Sequence, residues 1–120
     1  MIKKILSAKL HRVKVTGTAC DYEGSITIGE DVLKASGIKP FESVLVANTN
    51  NGLRFETYVM KGKSGEIIIN GAAARLAAVG DKLIILSFVW MEDTAYYDHS
   101  PMAILFDEDN KIKKVLKIKL

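Results

Sequence analysis

The stretch NNGLRFETYVM, Asn50 to Met60, decides the class of fold. Its opening Asn50-Asn51-Gly52 is a tight-turn signal, because asparagine and glycine tolerate the positive φ that a short hairpin loop demands. The residues that follow alternate. Leu53, Phe55, Thr57 and Val59 fall on one face of an extended chain, and Arg54, Glu56 and Tyr58 on the other. A period of two is the pattern of a half-buried strand.

Working outward, the same texture recurs. Before the turn, Pro40 leads to a strand at Val44 to Ala47. After it, Lys61 to Gly65 reads as a turn and Ile67 to Ile69 as a strand. Upstream, Leu10 to Thr16 alternates, with His11, Val13 and Val15 opposed to Arg12 and Lys14, and Gly17 ends the run. Ser25 to Ile28 is a short strand whose Ile26 and Ile28 share a face. Glu30 to Ser36 reads as a short helix with acids at its start and Gly37 as its stop. Downstream, Asn70 to Ala77 reads as a short helix capped by Asn70, with Gly71 in its first turn. Asp81 introduces a strand at Lys82 to Val89, and Met91 to Ser100 a polar, aromatic loop. Met102 to Phe106 is a strand, Asp107 to Lys111 a turn, and Ile112 to Leu120 a lysine-rich strand or tail. There is one faint echo: a helix, then an acid, one residue and an apolar strand, seen as ESVLV after the first helix and DKLII after the second. Such a two-fold repeat fits a small interlocked barrel. The expected class is mainly β with short helices.

At 120 residues the chain is one domain, residues 1–120, with no linker or low-complexity segment dividing it. Hydrophobic content of 48% and charged content of 26% are ordinary globular values. The single cysteine, Cys20, excludes an internal disulfide and fits a reducing cytosol. The start MIKKILSAKLHRV has no apolar stretch followed by a small-residue cleavage site, so no signal peptide is expected. The apolar run Leu83 to Met91 is far shorter than the roughly 20 residues that span a bilayer, so no membrane partner is expected. The net charge of +3 comes from the segment before Ser25, where Lys3, Lys4, Lys9, Arg12 and Lys14 face only Asp21 and Glu23. That excess suits an anionic ligand, a nucleic-acid face, or a strand edge guarded by lysines.

His11 and His99 lie far apart and show no metal-ligand spacing with Cys20, so no metal is expected. There is no phosphate loop and no dinucleotide fingerprint. What the chain does offer is Gly24-Ser25. A serine hydroxyl beside a strained peptide can attack the preceding carbonyl, converting the amide to an ester. Elimination then cuts the chain, and hydrolysis with loss of ammonia leaves a pyruvoyl group at the new N-terminus. Glycine lets the backbone bend at the cut, and a donor near the Gly24 carbonyl would stabilise the oxyanion. Read by itself, Gly24-Ser25 proves nothing: such pairs are common, and the plain reading is an ordinary turn that starts a strand.

The wider pattern resembles the pyruvoyl-dependent aspartate 1-decarboxylase family. The matching blocks are KLHRVKVT (Lys9 to Thr16), YEGSITI (Tyr22 to Ile28), NGLRFETY (Asn51 to Tyr58), INGAAAR (Ile69 to Arg75) and VGDKLIILSF (Val79 to Phe88), in family order and near family spacing. The resemblance implies a double-psi β-barrel with two or three short helices, assembled as a homotetramer with sites between neighbouring subunits. It implies cleavage into 1–24 and 25–120, with Ser25 the precursor of the covalent pyruvoyl cofactor. It implies L-aspartate as substrate, held through a Schiff base and converted to β-alanine for pantothenate and coenzyme A. Pyridoxal phosphate and metals are not expected. Some relatives mature unaided, and others need a helper protein. Tyr58 matches the proton donor. Thr57 matches a residue of substrate contact and self-processing. Gly71, Ala72 and Ala73 match the backbone that holds substrate, and Lys9, His11, Arg54 and Asn70 match polar residues of the pocket.

The chemistry of these residue types agrees. Decarboxylation leaves a carbanion, which needs an electron sink. Arg54 has the planar fork that grips a carboxylate, and Lys9 a point charge for the other end. Arg54 has a plainer reading too, paired with Glu56 on an exposed strand. A phenol such as Tyr58 is protonated at neutral pH and can return a proton. The Asn70-Gly71-Ala72-Ala73 helix start offers free N–H groups to a carboxylate, and Asn70 is alternatively the donor to the Gly24 carbonyl. His11 reads as a half-buried strand histidine. Glu56 departs from the small polar residue usual in relatives. Trp90 and the TAYYDHS stretch carry no assigned role. The competing reading is a non-catalytic β-barrel module binding through the basic N-terminal segment. Few basic residues alternate with aromatics, which argues against a nucleic-acid partner.

Overall fold

The computed structural model describes residues 1–21 and 23–119. Tyr22, in the turn expected before Ser25, and Leu120, at the end of the expected final strand, lie outside the described residues. The fold is mainly β. Nine strands run β1 (Ile2–Lys14), β2 (Gly17–Ala19), β3 (Ser25–Gly29), β4 (Ser43–Asn48), β5 (Arg54–Gly62), β6 (Ile67–Asn70), β7 (Lys82–Glu92), β8 (Met102–Phe106) and β9 (Ile112–Lys117). Between them lie the helices α1 (Glu30–Ser36) and α2 (Asp93–Tyr96) and a 3₁₀ helix, Gly71–Leu76.

The strands hydrogen-bond in the order β2-β6-β3-β5-β4-β7-β1-β8-β9. Since β2 follows β1 after two residues, the path from β2 round to β1 returns to the same stretch of chain. Val15 and Thr16 bridge the gap: Val15 donates its N–H to Asp81 O, and Thr16 to Ile67 O, at the starts of β7 and β6. This is the connectivity a barrel uses. The alternation read from the sequence fills its inside, where Ile26 and Ile28 of β3, Val59 of β5 and Ile67 and Ile69 of β6 meet Val44, Val46, Leu83 and Ile85. Each such side chain contributes roughly 1.5–3 kcal/mol on burial.

The N-terminal strand corrects one expectation. His11 does not share a face with Val13. A bulge falls between His11 and Val13 against β7, and Arg12 at its apex has φ of 66°. The extra residue resets the alternation, so Leu10 and Val13 both enter the core while His11 turns away. The strand is also longer than its alternating part, because β7 pairs along it from Ile2 to Lys14. That pairing carries β7 through to Glu92, and α2 follows it, where the sequence led us to expect an irregular loop.

Helix α1 runs as expected and ends at Gly37, whose φ of 78° closes a bond from its N–H to Leu33 O. The ESVLV and DKLII echo is realised in three dimensions. β4 and β7 lie antiparallel, with Val46 opposite Ile85. The acid before each strand reaches a polar side chain on the other: Ser87 Oγ donates to Glu42, and Asn48 Nδ2 donates to Asp81 at 2.8 Å. At the far end Asn110 clamps the β8–β9 turn onto β1, accepting from the Lys14 N–H and donating to the Lys14 carbonyl, both at 2.7 Å.

Candidate active site

Strand register builds the site. β3 lies between β6 and β5. Against β6 it is antiparallel with Ser25 opposite Asn70, and against β5 it is parallel with Ile26 beside Val59. One step back along β3 and β5 are Ser25 and Tyr58. Asn70, Ser25 and Tyr58 therefore stand in one row across three strands. Their side chains share the face away from Ile26 and Val59, since alternate residues point to opposite sides.

That row opens onto a cavity of about 540 Å³, lined also by Thr27 and Met60 of the same face and by Asp21 and Glu23 of the preceding segment. Ser25 is 5% exposed and Asn70 9%. The Asn70 amide donates to Ser25 Oγ at 3.0 Å and to Thr27 Oγ1 at 3.2 Å. This corrects the reading of Asn70 as a side-chain helix cap: it makes no cap bond among the described residues, and its Nδ2 is turned to the hydroxyls across the ladder. Gly24 is exposed, and no atom of the described residues beyond its chain neighbours lies within 4 Å of where a Cβ would be. Phe41 stacks on Tyr58, centroids 6.4 Å apart and planes 25° from parallel.

Other expected residues stand outside this lining. Thr57 points to the opposite face of β5, with Val59. Arg54 is exposed at the start of that strand, four residues from Tyr58 and so about 13 Å along it. Lys9 lies on β1, between β7 and β8. Gly71, Ala72 and Ala73 follow Asn70 in the 3₁₀ helix, and Gly71 takes a φ of 74°. Glu56 turns from Arg54 to accept a hydrogen bond from Ser43 Oγ at 3.1 Å. It lines a separate groove with Lys4, Phe88 and Trp90. Burial, then the charges of Lys9 and Arg12, lower the pKa of His11 from its ordinary 6.5, so its imidazole is neutral at pH 7. Its Nδ1 is buried without a hydrogen-bond partner among the described residues.

The cavity residues missing from the sequence reading are Asp21, Glu23, Thr27 and Met60. Thr27 was within reach of it, standing two residues after Ser25 and so on the same strand face. Met60 follows Tyr58 in the same way. The two acids precede the strand and obey no such period.

No described helix is long and apolar enough to cross a membrane. A family model described as "Aspartate decarboxylase" matches residues 1–113. Three proteins named aspartate 1-decarboxylase are similar along nearly their whole length. The one from Desulfotalea psychrophila is 46% identical over 98% of this chain and 100% of its own. Those from Caldicellulosiruptor bescii and Bacillus subtilis are 49% and 47% identical, over 96% and 97% of this chain and 91% and 93% of theirs. By the family model over residues 1–113 and by these relatives, this chain belongs to the aspartate decarboxylase family.

Proposed function

We propose that this chain decarboxylates L-aspartate to β-alanine and carbon dioxide, with a pyruvoyl group it makes from Ser25 by breaking its own Gly24–Ser25 bond. The β-alanine would supply pantothenate and coenzyme A synthesis. The observation that carries this reading is the row Asn70, Ser25, Tyr58 on a cavity, in a member of this family.

The residues fit the group. Ser25 Oγ is buried and held by a donor, the glycine before it is unpacked, and the cavity in front has room for a small amino acid. Ser25 Oγ attacks the Gly24 carbonyl carbon, and its proton passes to the departing nitrogen, giving an ester. Loss of the residue 25 α-proton breaks the Cβ–Oγ bond and releases Gly24 as a carboxylate. The dehydroalanine left behind tautomerises, takes up water and loses ammonia. The resulting pyruvoyl group supplies the electron sink for the charge that carbon dioxide leaves. Tyr58 returns the proton, and Arg54 and Lys9 hold carboxylates.

A homotetramer with sites between chains is part of this reading. It is supported by the absence of Arg54 and Lys9 from the lining of their own chain's cavity, where Asp21 and Glu23 stand instead. Both acids belong to fragment 1–24, so the cut unties the segment that carries them. A cytosolic setting suits the exposed, unpaired Cys20.

Intact mass tests the reading. After incubation alone and with a cytosolic extract, two fragments are expected, 1–24 and 25–120, the larger lighter by one ammonia than a serine-started chain. A chain that stays whole in both incubations excludes it.

A further inference from the structure

We propose that Thr27 is a positioning residue, holding the Asn70 amide toward residue 25 both before and after the chain is cut; the inference rests on the self-cleavage reading above. An amide nitrogen carries two hydrogens. In Asn70 both are committed, one to Ser25 Oγ at 3.0 Å and one to Thr27 Oγ1 at 3.2 Å. Ser25 and Thr27 are two apart on β3 and share the cavity face, so one amide spans them from across the ladder.

The direction of the Thr27 hydroxyl is set by its methyl. A Cβ placed on Gly62 would collide with Thr27 Cγ2, so that methyl sits directly over the bare Gly62 backbone. Threonine has few staggered χ1 states. With the methyl seated against Gly62, the hydroxyl is turned to Asn70. The glycine at 62 thus serves the cavity without lining it.

Self-cleavage changes the balance at Asn70. Ser25 Oγ departs with Gly24 as one oxygen of the new carboxylate, and Asn70 loses an acceptor. Thr27 Oγ1 stays. It keeps the amide from rotating away, and the freed N–H remains aimed into the cavity, where it can donate to a substrate oxygen. Before the cut, the same anchor keeps Ser25 Oγ oriented for attack. Supporting interactions of this kind hold a reacting group in its productive geometry.

The test starts from freshly purified uncut chain. Its cleavage is followed by mass, and KM and kcat for aspartate are then measured on fully cleaved protein. Thr27→Val keeps the shape and removes the acceptor; it should slow cleavage on the order of tenfold, one hydrogen bond's effect, and raise KM more than it lowers kcat. Thr27→Ser keeps the hydroxyl and should cleave within about twofold of the unaltered chain, since the amide retains its acceptor. Gly62→Ala should slow cleavage as Thr27→Val does. Adding Thr27→Ser to Gly62→Ala should restore most of the rate, because serine has no methyl to collide; the remaining close neighbour, Glu66 Oε1 at 3.0 Å, ends a flexible side chain that can give. Wild-type cleavage and KM in Thr27→Val overturn the inference, as does a double variant no faster than Gly62→Ala alone. If Thr27→Val does not fold, the Gly62 pair decides. Normal cleavage of the unaltered chain with an indifferent Thr27→Val removes this inference alone, whereas an unaltered chain that is never cut removes the self-cleavage reading with it.

Discussion

Tyr58 stands beside Ser25 on the neighbouring strand, and Phe41 packs against its ring. Phe41, itself 75% exposed, covers one side of the ring, and Tyr58 lines the cavity. A proton donor needs that combination, because its reach is one hydrogen bond and its ring must not wander. Tyr58→Phe keeps the stacking and removes the proton. It is expected to fold and cleave normally, and to lose roughly 10²-fold in kcat for aspartate. Steady-state turnover on mass-verified cleaved protein checks this, and an unchanged kcat assigns the proton to another group. Ser25, Tyr58 and Asn70 were all named from the sequence, but their standing in one row was not. A row across three strands depends on register, and no residue carries its register in its own neighbourhood.

At the scale of elements, local pattern was reliable wherever one face of a strand met the core without interruption. β3 and β8 cover the residues expected of them, while β5 runs on through Lys61 and Gly62, which the sequence reads as a turn. β1 breaks the pattern at Arg12, because the strand must bend while keeping Leu10 and Val13 inside. One inserted residue achieves this and inverts the faces that follow. Between β4 and β7, the paired acids at the strand entrances tie the two halves together. Asp81 accepts from Asn48 Nδ2 first and from the Ala78 N–H second, and both hold its pKa below the ordinary 3.8. A carboxylate whose folded pKa is depressed contributes stability that is complete above its unfolded value and is lost as pH falls through the folded one. Thermal stability is therefore expected to drop below about pH 3.8. Asp81→Asn should be less stable at neutral pH and should show a shallower acid decline. Melting curves across that range check it, and parallel acid limbs in the two proteins would assign the decline to other groups.

For the whole molecule, one chain presents the Ser25 hydroxyl and the Tyr58 phenol at a cavity, but Arg54 and Lys9 are not among its lining residues. The proposed substrate carries two carboxylates, and each needs a cationic or N–H partner. Neighbouring chains supply the cationic ones in the assembly we propose. Mixed oligomers of Ser25→Ala and Arg54→Ala chains provide the test. Neither parent should turn over aspartate at an appreciable rate. The mixture should recover roughly a quarter of the wild-type sites by random pairing. No recovery from co-assembled chains would place both residues in one subunit.

The letters alone determined that this chain is β-rich with its punctuation at Gly37 and at Asn50-Asn51-Gly52; Ser25 behind Gly24 stood out only through the five blocks that resemble the family. Alternation and turn geometry are local properties, written within a few residues. Only the tertiary structure decided that Asn70 serves two hydroxyls rather than a helix end, that His11 leaves the core, and that Thr57, Arg54 and Lys9 stand apart from the cavity. Each of these depends on which strands become neighbours and in what register, and that is settled by packing the whole core at once.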